Sequence, residues 1–328
     1  MMPLYDNNGH YTRNPKLMQL TSGGRSNSSK DTYFTSGGFH LTPLKGLGIH
    51  GQATLRTESY RHQYNVNKVY LYTRDNQPVE EAWLGGDPDL AAGKTFVQSQ
   101  TQQTSMMTTS LYADYEYSWN KHNFKVTAGM NTEYYYINEL IGKRYDVINE
   151  NVPSINTATG TSDLKGSSKE WATMGYFARL NYDYEGRYLL EGNIRRDGTS
   201  RFRGNQRWAH FPLFYRLEHR PRSILESGRS ICQPVKLRFS YGSLGNQNTD
   251  NYYPTYSIQN ITVGSVDAGG RWLLDLANKS NIASSPGLVS SLLTWERVTS
   301  YNAGLDFGAF NNRLNGYVEY YIRDTKTW

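Results

Sequence analysis

The 328-residue sequence contains one cysteine, Cys232, so no internal disulfide can form. It also lacks any run of about eighteen apolar residues, which excludes a membrane-spanning helix. That absence leaves a membrane barrel open, because barrel strands need only about ten alternating residues each. Core-forming residues are scarce: 37% of the chain is hydrophobic and the mean hydropathy is -0.70, too polar for an ordinary soluble enzyme of this length. The opening "MMPLYDNNGHYTRNPKLMQL" has neither a basic n-region nor an apolar h-region, so it is not a signal peptide. Either the chain stays in the cytoplasm or its true N-terminus is missing. The +6 formal charge is scattered, with no basic stripe or nucleic-acid-binding module, which argues against nucleic acid as a partner.

Catalytic signatures are missing as well. The chain has no HExxH, no Walker-type loop, no GxGxxG after a strand and no GxSxG elbow. Its seven histidines are dispersed, with no pair at metal-ligand spacing. Ser243 in "YGSLGNQ" lacks the flanking spacing of a nucleophile turn, and Glu80-Glu81 reads as solvated loop acids rather than an acid/base couple. The expectation is a protein that is not an enzyme, with no catalytic, cofactor-binding or metal-binding residue to assign. Substrate-binding residues are not legible.

What the chain has is aromatic side chains: 14% of residues, with 27 Tyr against 11 Phe. Disordered chains are depleted in these. They fall in segments that alternate with period two. "LGIHGQATLR" puts Leu47, Ile49, Ala53 and Leu55 on one face and His50, Gln52 and Thr54 on the other. "LYADYEYSW" sets Leu111, Ala113, Tyr115, Tyr117 and Trp119 against Tyr112, Asp114, Glu116 and Ser118. After a turn at Asn120-Lys121-His122, Phe124, Val126, Ala128 and Met130 return beside them, a hairpin. A second hairpin runs from Tyr176 to Tyr184 and back from Tyr188 around Glu185-Gly186-Arg187. A third runs from Tyr301 to Phe307 and back from Leu314 to Ile322, with its turn at Asn311-Asn312.

Between the hairpins lie long polar stretches, most clearly 57–105, 138–170 and 246–290. Short turns at one end and long loops at the other are the pattern of a transmembrane barrel. A propeller would show a repeat of about forty residues, which is absent. A sandwich would not tolerate loops this long and this frequent. The apolar faces turn aromatic near the strand ends, where interfacial girdles belong. The opposite faces carry Asp114, Glu116, Arg179, Asp183, Glu191 and Arg195, costly in a dry core and acceptable in a water-filled lumen. The fold class predicted is all-β, a partial antiparallel transmembrane β-barrel.

Four stretches carry a resemblance: "GYFARLNYDYEGRYLLEGNIRRDGTSRF" at 175–202, "RWAHFP" at 207–212, "LRFSYGSLGNQ" at 237–247, and "LTWERVTSYNAGLDFGAFNNRLNGYVEYYIRDT" at 293–325. In this order they resemble the SusC/RagA family of TonB-dependent transporters. The resemblance implies that residues 1–328 belong to one barrel domain, a piece of a 22-stranded barrel with roughly eight to ten strands present. The N-terminal signal, the plug and the C-terminal strands would be absent. It implies energy-dependent import of oligosaccharides or peptides across the outer membrane of a Gram-negative cell. The implied partners are a SusD-like lipoprotein, the TonB-ExbB-ExbD complex acting through the missing N-terminal parts, the substrate and outer-membrane lipid. A siderophore or cobalamin receptor would share the barrel without Leu244-Gly245-Asn246-Gln247 and Trp295-Glu296. A soluble extracellular glycan-binding β-domain is a further alternative.

One segment breaks the pattern. Between "FP" and "LRFS" stands "LFYRLEHRPRSILESGRSICQPVK", crowded with Arg, Pro and Ser and holding Cys232. Back-translated with one permitted set of codons, it reads in another frame as FSTGWNIAQEAFWSPVAPYVNQ, which resembles an ordinary family segment. Residues from about Leu213 to Val235 therefore read as translated out of frame between two compensating base losses. Four arginines and two glutamates in 215–235 make this segment the source of +2 (4 − 2) of the net charge. Loss of a strand is expected here, since Pro221 and Pro234 donate no ladder hydrogen bonds. High-accuracy resequencing of the encoding DNA is expected to return missing bases at the two junctions, in a total that is a multiple of three, restoring the Thr-Gly-Trp and Glu-Ala-Phe-Trp runs. An unchanged reading through both junctions would refute the slip.

Overall fold

The computed structural model describes residues 5, 8–10, 20–73, 75–81, 94–220, 235–259, 261–262, 282–285, 287–309 and 313–326. Ten strands form one sheet: β1 (Gly24–Leu44), β2 (Leu47–Val66), β5 (Phe96–Trp119), β6 (His122–Tyr145), β7 (Ser162–Tyr184), β8 (Tyr188–Thr199), β9 (Trp208–Arg220), β10 (Val235–Asn246), β13 (Glu296–Ala309) and β14 (Leu314–Lys326). Their spatial order is their chain order, as in a meander, and the sheet is open, with β1 and β14 at its edges. Two small pairs stand apart: β3 (Val69–Tyr72) with β4 (Pro78–Glu81), and β11 (Ile261–Thr262) with β12 (Ile282–Ala283). A 3-10 turn at Gly204–Arg207 precedes β9.

The turns at one end are short because the chain supplies residues that accept positive φ. Gly46 (φ +84) closes β1–β2, and Asn120 (φ 52) closes β5–β6. Glu185 and Gly186 (φ 52 and 67) close β7–β8, the signature of a two-residue primed turn. The turn at Asn311-Asn312 lies outside the described residues, as do Pro221, Pro234 and Cys232. At the other end the connections span 67–95, 146–161, 200–207 and 247–295.

The strands run further than alternation of hydrophobicity alone predicts. The stretches 57–105, 138–170 and 246–290 were expected as loops, yet β2 continues to Val66, β5 begins at Phe96, β6 reaches Tyr145 and β7 starts at Ser162. The reason lies on the outward face. Along β2 the apolar outward positions run from Leu47 to Leu55; beyond them stand Thr57, Ser59, Arg61 and Gln63. Along β6 they run from His122 and Phe124 through Val126, Ala128 and Met130 to Tyr134 and Tyr136. An apolar band of about nine to fifteen residues per strand suits a tilted membrane crossing, and the rest of each 20–24-residue strand projects into water. Once both faces are wet the hydropathy signal vanishes, but the hydrogen-bond ladder continues.

The chain divides into two compact units, residues 1–35, 54–107 and 135–170 in one, and 36–53, 108–134 and 171–328 in the other. The first has a core of Val66 and Phe96 with Tyr64 and Tyr145 against it. In the second, Phe202, Ala209 and Phe211 are buried.

Strand β9 corrects one expectation. The ladder does not fail at Leu213: β9 continues to Arg220, pairing Leu189 with Leu217 on one side and Leu237 with Glu218 on the other. Two long neighbours template the backbone whatever side chains it carries. The fault appears in polarity instead. Leu190 pairs Arg216, which pairs Phe239, so Arg216 stands on the apolar face. Tyr215 joins Glu191 and Asn181 on the polar one. This inversion begins where the reading frame is inferred to slip. Arg216→Leu is expected to stabilise the membrane-inserted protein by about 1 kcal/mol, the scale for a cation between bilayer centre and interface. Urea unfolding from lipid vesicles reads it, and unchanged stability would place Arg216 outside the bilayer.

Candidate functional site

Among the described residues, the polar face of the sheet gathers paired charges. In the second unit, the Asp114 carboxylate accepts a 2.6 Å hydrogen bond from His50. The His50 ring is stacked between His40 and Tyr112, with centroids 4.3 and 4.5 Å away. Lys125 donates to Glu116 at 2.5 Å, and Arg179 to Glu191 at 2.8 Å. Arg195 binds Asp197 at 2.7 Å and Asn131 at 2.9 Å; Arg238 binds Asp306 at 2.9 Å. The six charges picked out by alternation therefore all fall on this face. They lie in or beside pairs with His50, which alternation also places on this face, and with partners it did not single out: Lys125, Asp197 and, for Asp183, the amide of Asn123 at 2.9 Å. Partly exposed pairs of this kind contribute little to stability. Their effect is to make one wall uniformly wettable. A groove of about 450 Å³ runs between Glu116, Lys125, Asn181, Asp183, Glu191 and Tyr215.

In the first unit the inward face carries rings as well as charges. Tyr60, His62 and Tyr64 follow one another along β2 at 6.2 and 5.9 Å. Phe96 meets Tyr64 edge-on at 5.2 Å and Tyr145 at 6.0 Å. The Lys143 ammonium sits 3.8 Å above the Phe96 ring. Glu58 is held between Lys30 and Arg56. Desolvation pushes its carboxyl upward, but the hydrogen bonds from Lys30 and Arg56 outweigh this and leave it below the usual glutamate value. The 146–161 loop is ordered on this unit, because the Arg144 guanidinium donates to the carbonyls of Gly160 and Ile155 at 3.3 and 3.2 Å.

The long-loop end of the second unit is built on Arg201. This residue is 7% exposed; its guanidinium donates to the Thr249 carbonyl and hydroxyl at 3.1 and 3.2 Å. Its guanidinium carbon lies 5.5 Å from the Trp171 ring and 5.1 Å from that of Tyr252. Burial lowers its pKa below the ordinary arginine value. Nearby, the Trp295 indole N–H donates to the Arg207 carbonyl at 3.0 Å, and its ring meets Phe202 and Phe211 edge-on. Phe211 lies so close over Gly245 that a Cβ there would fall 2.0 Å from the ring. Asn246 donates to Glu296 at 2.8 Å. Sequence reading missed the Arg201 cluster, because its partners are separated by 48 residues.

Other candidate positions gather no chemistry. Ser243 is buried in β10 with no hydrogen-bond partner for its hydroxyl among the described residues, so no base activates it. Glu80 and Glu81 lie in β4, and their side chains fall outside the described residues. No cluster of three metal-ligating side chains occurs among the described residues.

An apolar band on one face, paired charges on the other, and short turns opposite long loops are the pattern of a section of transmembrane β-barrel wall. No family model matches the chain. It is 27% identical over 230 residues to the TonB-dependent receptor SusC of Bacteroides thetaiotaomicron, covering 69% of this chain and 22% of that protein. It is 26% identical over 311 residues to a TonB-dependent receptor of Formosa agariphila, covering 94% of this chain and 26% of that protein. Among solved structures, the RagAB peptide transporter matches with a TM-score of 0.74 at 20% identity, over 93% of this chain and 31% of that one. The RagAB importer in its open-open state matches at 0.75. The chain thus spans about a quarter of the length of these curated relatives. It is a partial match, covering a portion of the receptor, to the SusC/RagA-type TonB-dependent receptors, a non-enzymatic class of the Gram-negative outer membrane.

The stretches that carry the resemblance meet at the Trp295 joint. Gly245→Val is expected to destabilise the assembled protein by about 2 kcal/mol through overpacking against Phe211. Trp295→Phe, which keeps the ring and loses the donor, should cost about 1 kcal/mol. Thermal melts in detergent measure both, and a neutral Gly245→Val would show that the ring does not rest there.

Proposed function

We propose that the chain forms part of the barrel wall of an outer-membrane, TonB-dependent nutrient importer that takes up oligosaccharides or peptides. The observation that carries this reading is the two-faced meander itself: ten sequential strands with an apolar band outside and a wetted, charge-paired wall inside. The similarity to SusC and to the RagAB fold supports it. The RagAB neighbours are described as a peptide transporter and importer, so both substrate classes stay within the proposal.

In this reading the barrel has 22 strands and a plug fills it. A SusD-like lipoprotein closes over the long-loop end. The TonB-ExbB-ExbD complex supplies the energy through N-terminal parts of the receptor. The residues of this chain contribute a wall along which polar solutes move without meeting unpaired charge. Their inward rings and amides, such as Tyr60, His62 and Gln100, give hydrated ligands surfaces for stacking and hydrogen bonding.

Uptake of fluorescent oligosaccharides and peptides by cells with and without the gene tests the proposal. Accumulation of at least one class is expected to fall to background on deletion, and equally on addition of a protonophore. Accumulation that ignores both treatments would sink it.

A further inference from the structure

The outward face of the first unit does not end at the bilayer. The outward apolar positions stop at Tyr33 on β1 and Leu55 on β2, and on β5 they break off at Met107 until the buried Val97 near the strand's start. Four to eight residues further along the same strands, a groove of about 390 Å³ crosses all three. Its outward lining is Asn27 and Ser29 from β1, Arg61 and Gln63 from β2, and Ser99 and Thr101 from β5. The facing is fixed by the neighbours in sequence. Ser26 bonds His62 at 2.9 Å, Lys30 bonds Glu58 at 3.1 Å and Gln100 bonds Glu139 at 2.5 Å, all on the inward side. The residues between them point the other way.

Height decides what can reach this groove. At about 3.3 Å per residue and a tilt near 45°, four to eight residues place it roughly 10–20 Å above the apolar band. The phospholipid headgroup layer is only about 5–8 Å thick on each side. A phospholipid therefore ends below the groove, whereas a lipid with an extended saccharide headgroup reaches it. The lining suits such a ligand: hydroxyls and amides for sugar hydroxyls, and the Arg61 guanidinium for an anionic substituent. Arg25 adds a second cation on the same face, and the acidic Asp31 lies closer to the band. We propose that the groove between β1, β2 and β5 binds the saccharide of an outer-leaflet glycolipid, anchoring the projecting part of the wall in the sugar layer around it.

The proposal goes beyond import and rests on the outer-membrane reading above, with the long-loop end facing outward. Site-specific photo-crosslinking in cells producing the full receptor tests it, with a benzophenone amino acid in place of Gln63, Ser99, Tyr64, Gln100 or Leu111. Leu111, in the apolar band, reports insertion by capturing acyl chains; without that adduct the membrane reading fails first, and the proposal with it. With insertion established, adducts containing both saccharide and hydroxy fatty acid are expected at 63 and 99 and not at the inward positions 64 and 100. Arg61→Glu should lower their yield about tenfold, the effect of one charge-assisted contact. Phospholipid adducts, free saccharide without acyl chains, protein adducts alone, or equal yields at inward and outward positions would each overturn it.

Discussion

Everything in this chain depends on closing the backbone ladder inside lipid. An unpaired N–H or C=O in hydrocarbon costs several kcal/mol, and neighbouring strands are its only partners. A misplaced side chain costs less, about 2–4 kcal/mol for a cation at mid-bilayer and near zero at the interface. β9 shows which term wins. Arg216 stands on its apolar face and Leu213 and Leu217 on its polar one, yet its backbone pairs on both sides as far as Arg220. Thirteen residues of ladder outweigh a few side chains on the wrong face. The order of strands is thus more robust than the sequence within any one of them.

The ladder leaves two faces with separate tasks. The apolar face needs only bulk and rings at the right depth, and the cluster of His122 with Trp119, Phe124, Tyr182 and Tyr184 beside the short turns is of that kind. A hydrogen bond of 2.8 Å between His122 and the Tyr182 hydroxyl satisfies polar atoms that lipid cannot. The inner face needs wettability without a strong field. Charges arranged as close opposite pairs, Arg179 with Glu191 and Arg238 with Asp306, meet both demands.

Legibility in the sequence followed from how local each signal is. The hairpins around Asn120 and Glu185 were readable because alternation and turn residues sit within one short window. Facing was readable for the same reason, and Asp114, Glu116, Arg179, Asp183, Glu191 and Arg195 all stand where alternation puts them. β1 escaped notice, although Phe39 and Leu41 lie in its band, because its outer part, 24–32, is polar on both sides and Thr35, Ser36, Gly37 and Gly38 interrupt the alternation in the rest. The outer halves of β2, β5, β6 and β7 were taken for loops on the same grounds. The partners of Arg201 and Trp295 lie 48 and 88 residues away, and no window joins them. Their signal was only compositional, an arginine and a tryptophan amid loop residues.

That last contrast bears on what similarity to known receptors can transfer. The stretches through which this chain resembles SusC/RagA proteins converge on a mechanical joint: Phe211 over Gly245, Asn246 on Glu296, and the Trp295 indole on the Arg207 carbonyl. These residues satisfy one another and leave few groups for a ligand. Their chemistry sets how β8, β9, β10 and β13 meet at the long-loop end, and says nothing of which solute passes. In the function proposed above, selectivity belongs to other residues, among them the inward rings and amides of β2 and β5. A receptor of this architecture can therefore keep its joint while exchanging its substrate, because the two sets of residues share no atoms.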